Sequence, residues 1–117
     1  MQYLKTYLKK ITDRGNTKLA ESIEKTANDV GNKHIKTFSF SSHEIGLLLG
    51  NVQSGKTGQM FGIICKAADL GFPVFVLLTT DNVVLQQQTL DRVRADLEGF
   101  CICGENDAAL FVENNLM

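Results

Sequence analysis

At 117 residues, with 44% hydrophobic and 21% charged side chains, the chain can bury the core of one domain, and its single proline argues against a disordered or linker-rich polypeptide. The net charge of −1 hides an asymmetry: residues 1–36 carry eight Lys/Arg against four Asp/Glu, and residues 37–117 carry four against nine. A solvated, lysine-rich helix face explains the basic front end better than a nucleic-acid surface, and the acidic remainder does not suit a phosphate backbone.

In chain order, Leu4, Leu8 and Ile11 fall at i, i+4, i+7, which predicts a short amphipathic helix over 2–12. Arg14-Gly15-Asn16 breaks it. Thr17 is then placed to cap a second helix with Leu19, Ile23, Ala27 and Val30 on its buried face, ended by Gly31 and Asn32. Residues 34–40 alternate, with Phe38 and Phe40 on one face, predicting a short strand whose two aromatics belong to the core rather than to an adenine-stacking surface. Ser41 and Ser42 mark a turn.

From Glu44 the pattern reads βαβα. Ile45–Leu49 is a continuous apolar run of the kind buried on both faces of a parallel sheet. Met60, Ile63, Ile64, Ala67 and Ala68 form a helical face, and Leu70-Gly71 followed by Pro73 stops that helix. Val74–Leu78 predicts a second buried strand. Asp81 or Asn82 caps a third helix with Leu85, Thr89, Val93 and Leu97 inward, ended by Gly99, and short elements are expected near Cys101 and over 108–112. The expected architecture is α/β: a short helical segment over 1–33, then a partial P-loop domain over 34–117 with a RecA-like parallel sheet and flanking helices.

The chemistry is concentrated between the first predicted strand and its helix. Residues 50–57 read Gly50-Asn51-Val52-Gln53-Ser54-Gly55-Lys56-Thr57, a complete G-x-x-x-x-G-K-T phosphate-binding signature. In such a loop the glycines let the backbone turn and approach the phosphates, and amides from Val52 to Thr57 form an anion nest backed by the helix dipole. Lys56 supplies charge to the β- and γ-phosphates as the catalytic residue, and the Thr57 hydroxyl coordinates Mg²⁺. ATP and Mg²⁺ are the expected cofactors.

Val-Gln-Ser-Gly-Lys-Thr, together with the later Leu85-x-x-Gln88-Thr89-x-x-Arg92, resembles the superfamily-two helicase-like ATPases, closest to the branch whose P-loop reads VQSGKT and is often joined to endonuclease modules. The likeness covers residues 45–97. It implies an ATP-driven motor or switch acting on nucleic acid, DNA the expected one, through the full-length protein, with an endonuclease module as a further partner. The loop after the second strand would then touch the nucleic-acid backbone through Thr79, Thr80 and Arg92; an ion pair with a neighbouring acid is the plainer reading of Arg92.

The chain departs from that family downstream of Lys56. No apolar run there ends in Asp-Glu, Arg92 and Arg94 are the remaining arginines, and the second helicase lobe is missing. The expectation is therefore the front portion of a larger ATPase that binds phosphate far better than it hydrolyses. Two alternatives are a nucleoside-kinase-like phosphotransferase, which lacks here the paired C-x-x-C of a zinc knuckle, and a non-catalytic degenerate P-loop interaction module.

Three cysteines, odd in number and without framework spacing, fit a reducing compartment, and Lys5, Lys9 and Lys10 interrupt any signal-peptide core. A cytoplasmic protein without membrane spans is expected. Cys101 and Cys103 form half a metal site at most, with His34 and His43 far upstream, so buried or idle thiols are the expectation.

Overall fold

The computed structural model describes residues 2–49, 56–78 and 83–102, which fall into two compact units, Met1–Leu77 and Leu78–Met117. Helix α1 (Tyr3–Asp13), α2 (Thr17–Val30) and α3 (Lys56–Asp69) belong to the first unit, and α4 (Val83–Asp96) to the second.

α1 buries Leu4, Tyr7 and Ile11 along a single stripe, with Tyr7 where the spacing predicted Leu8, which is half-buried. After the turn at Arg14-Gly15, α2 buries Ala20, Ile23 and Ala27, while the expected face residues Leu19 and Val30 are half-buried. Asn16, not Thr17, holds the cap position of α2, and it makes no side-chain cap bond. α2 ends at Val30 with Gly31 at its C-cap position, as expected, but the chain does not leave the helix there. The chain runs on through one π-helical turn, Gly31–Ile35, in which the Lys36 amide donates to the Gly31 carbonyl at 2.7 Å. Gly31 keeps right-handed helical angles; what it provides is room, since a Cβ there would lie 2.5 Å from Lys66 Cγ on α3.

α1 and α2 form a hairpin that packs on α3. The face α3 presents to them is not the predicted one. Gly58, Gln59, Phe61, Gly62, Cys65 and Ala67 are buried, whereas Met60 is exposed and Ile63, Ile64 and Ala68 are half-buried. The cause lies in the glycines. A Cβ at Gly62 would collide with Ile23 Cγ2, so the two helices approach closely only along the Gly58–Gly62 edge. Phe61, fully buried, then meets Tyr7 edge-on with ring centroids 6.3 Å apart. Two glycines in a helix interior each cost about 1 kcal/mol of helix propensity, an amount the close packing offsets.

The other end of α3 completes α1. Gln2 provides no cap for α1, but the Asp69 carboxylate, at the end of α3, accepts from the Tyr3 amide at 2.7 Å and the Leu4 amide at 3.2 Å. Two of the four orphan N–H groups of α1, and the positive end of its dipole, are satisfied from another helix. Asp69→Ala is expected to lower stability by about 1 kcal/mol, read as a fall in the urea midpoint; an unchanged midpoint would show the cap to be without weight.

The expected RecA-like α/β architecture is overturned: among the described residues every regular element is a helix and no strand pairs with another. Ile45–Leu49 and Val74–Leu78 are neither buried nor laddered, with Ile45 84% and Val76 79% exposed and Leu47, Leu49, Val74 and Leu78 similarly open. A continuous apolar run specifies a buried strand only where other strands flank it, and none of the described residues does so. Residues 34–40 are also not a strand: the π-helical turn and a following turn occupy 31–37. The turn at Ser41-Ser42 is present, closed by the Ser42 amide donating to the Ser39 carbonyl at 3.0 Å.

In the second unit, α4 ends at Asp96, ahead of the Glu98-Gly99 turn. Of the predicted inner face, Leu97 is buried and Thr89 and Val93 are half-buried, while the side chain of Leu85 is not among those described; Asp96 is buried beside Leu97. The expected caps Asp81 and Asn82, and the element expected over 108–112, lie outside the described residues. No helix among those residues is long and apolar enough to cross a membrane.

Candidate phosphate-binding helix terminus

Of the eight signature residues, Gly50, Asn51, Val52, Gln53, Ser54 and Gly55 lie outside the described residues, and Lys56 and Thr57 lie within them. These two are the first residues of α3, with Lys56 exposed and Thr57 half-buried. From Lys56 on, the run buries Phe61 and Cys65. The first turn of α3 contains no acidic residue, so no carboxylate of its own opposes the positive end of the dipole. A 14-residue helix beginning with Lys-Thr offers first-turn backbone donors, an exposed ammonium and a hydroxyl at one end.

Directly behind that end, Gly58 and Gln59 are held by the hairpin. The buried Tyr7 hydroxyl donates to the Gly58 carbonyl at 3.1 Å, and the Gln59 Nε2 amide donates to Ser22 Oγ at 2.9 Å. Gln59 is 7% exposed and its Oε1 has no hydrogen-bond partner among the described residues. Neither Tyr7 nor Ser22 is marked in the sequence as part of a site, because no spacing rule links them to Gly58 and Gln59, 51 and 37 positions away. The one cue was Gly58 itself, a glycine following the Thr of the signature where the chain approaches another helix.

The other predicted residues fall elsewhere. Thr79 and Thr80 lie outside the described residues. Gln88, Thr89 and Arg92 share α4, and Arg92 Nε stands 4.0 Å from the buried Asp96 carboxylate one turn on, the ion pair that composition alone would suggest. Phe38 and Phe40 are not core: Phe40 is 81% exposed, and the two rings cluster with Phe72 at centroid distances of 5.3, 5.5 and 6.1 Å.

Cys65 is buried, and burial, with the Asp69 charge as a second cause, pushes its thiol up to about 12, so it stays protonated and unreactive at neutral pH. Cys101 is exposed, and Cys103 lies outside the described residues. His34 Nδ1 pairs with Glu44 Oε1 at 2.8 Å, and among the described residues no three His, Cys, Asp or Glu side chains converge as a metal site would require. A shallow hollow of about 480 Å³ between α1, α2 and the far end of α3 is lined by Leu4, Lys5, Leu8, Glu24, Asn28 and Asp69; its two carboxylates against one ammonium do not suit a phosphate. Compared with protein-family models, curated proteins and solved structures, the chain gives no match.

Proposed function

We propose that the chain binds the phosphates of Mg-ATP at the start of α3. The observation that carries this reading is that Lys56 and Thr57 of the G-x-x-x-x-G-K-T signature are the first two residues of a long helix whose first turn holds no acid. Lys56 supplies the positive charge to the β- and γ-phosphates, the Thr57 hydroxyl holds Mg²⁺, and the first-turn amides donate to phosphate oxygens. The wider role we propose is the ATP-binding portion of a nucleic-acid-dependent helicase-like ATPase. Its support is the sequence motif Leu85-x-x-Gln88-Thr89-x-x-Arg92, which lies within the single helix α4. The reading rests on motifs and helix position, not on a sheet. Because no apolar run after Lys56 ends in an acidic pair, binding is expected to exceed turnover by far.

Calorimetric titration with nucleotides of different phosphate number tests it. Affinity should fall in the order MgATP, MgADP, AMP and be similar for MgATP and MgGTP, since the grip is on phosphates common to both. Absence of binding, or AMP binding as tightly as MgATP, would remove the proposal.

A further inference from the structure

The α1–α2 hairpin does not merely lie along α3; it makes polar contacts at both ends of that helix, and two of them fall on the residues that immediately follow Lys56 and Thr57. Tyr7, 1% exposed, donates its hydroxyl to the carbonyl of Gly58, and Ser22 accepts from the side chain of Gln59. One turn on, Ile23 closes against Gly62 and Tyr7 packs on Phe61. In a regular helix the Gly58 carbonyl already has a role, accepting from the amide four residues later. A second donor from another helix fixes the plane of the peptide that joins Gly58 to Gln59, and so the tilt of the first turn. The orphan amides and the Lys56 and Thr57 side chains leave from that turn, and a phosphate site loses affinity when such donors are misplaced by about 0.5 Å.

We propose that the hairpin is a positioning clamp for the phosphate-binding turn, with Tyr7 and Ser22 as positioning residues, so that nucleotide affinity depends on how the hairpin is seated. This rests on the reading given under Proposed function and adds to it the means by which the site is regulated. Anything that loosens Tyr7 from Gly58 weakens the hold on nucleotide, and by linkage bound nucleotide tightens the hairpin. The contact geometry separates this role from ordinary packing, because the two ends of α3 can be disturbed independently. Asp69 ties the hairpin to the far end of α3, thirteen residues from Lys56.

The test compares three variants of the full chain, with the dissociation constant for MgATP measured in conditions where each is fully folded by circular dichroism. Tyr7→Phe and Ser22→Ala are each expected to raise that constant by roughly fivefold, the equivalent of one hydrogen bond. Asp69→Ala should lower the urea midpoint and leave the constant unchanged. A purely structural hairpin would give the opposite pattern: all three variants would lower the midpoint and none would alter affinity, and that result overturns the proposal. Wild-type chain that fails to bind MgATP removes both the site and the clamp, whereas Lys56-dependent binding indifferent to Tyr7 and Ser22 removes the clamp alone.

Discussion

Phe61→Ala is expected to destabilise the Met1–Leu77 unit by about 3–5 kcal/mol, while Met60→Ala, one position earlier, should cost less than about 1 kcal/mol. Phe61 is fully buried between α1 and α2 and shares an edge-on ring contact with Tyr7, so its removal leaves a cavity that the close-packed glycine edge cannot collapse to fill. Met60 is 39% exposed and faces away from the hairpin contacts. Urea unfolding of the two variants measures the difference. Equal losses, or a larger loss at Met60, would mean that α3 is rotated relative to the hairpin and that the sequence-predicted face is the buried one.

Lys56→Ala is expected to weaken MgATP binding by roughly 10- to 100-fold, matching the loss of about 1.5–3 kcal/mol that accompanies one charge-assisted contact. Its effect on stability should be small, within about 0.5 kcal/mol, since Lys56 is exposed at the helix start. Thr57→Ala should act differently. Its loss of affinity should appear in the presence of Mg²⁺ and shrink when the cation is chelated, because the hydroxyl serves the cation and not the phosphate directly. Calorimetry with and without chelator separates the two. Lys56→Ala binding at wild-type strength would place the nucleotide somewhere other than the start of α3.

What was legible in the sequence was whatever a single helix decides for itself. The i, i+4, i+7 spacing of Leu4, Leu8 and Ile11 located α1 to within a residue at each end, although Tyr7 rather than Leu8 proved the more deeply buried. The stop of α3 before Gly71 and the turn at Ser41-Ser42 followed from local turn chemistry. What was not legible depended on partners distant in sequence. An apolar-residue count cannot see that Gly58 and Gly62 make the contact edge of α3, because glycine contributes no apolar side chain; its value is the space it leaves for Ile23. Nor can it see that Asp69 caps a helix more than sixty residues earlier. Ile45–Leu49 and Val74–Leu78 have the composition of buried strands, but a strand is defined by its neighbours, and here the two runs form no ladder among the described residues and stand largely open. Of the proposed site, Lys56 and Thr57 are named by the signature alone, while Tyr7 and Ser22, which hydrogen-bond to Gly58 and Gln59 behind them, carry no mark in the sequence.

The central claim is that nucleotide phosphates bind where Lys56 and Thr57 begin α3. It is tested most directly by following the backbone amides of ¹⁵N-labelled chain by NMR as MgATP is added. The account predicts that the largest and saturable shifts fall on Lys56, Thr57 and Gly58, with smaller ones on Tyr7 and Ser22, and that Lys56→Ala abolishes them at the same nucleotide concentration. Shifts confined to other residues, such as those around Arg92 on α4, or no shifts at millimolar MgATP, would contradict it.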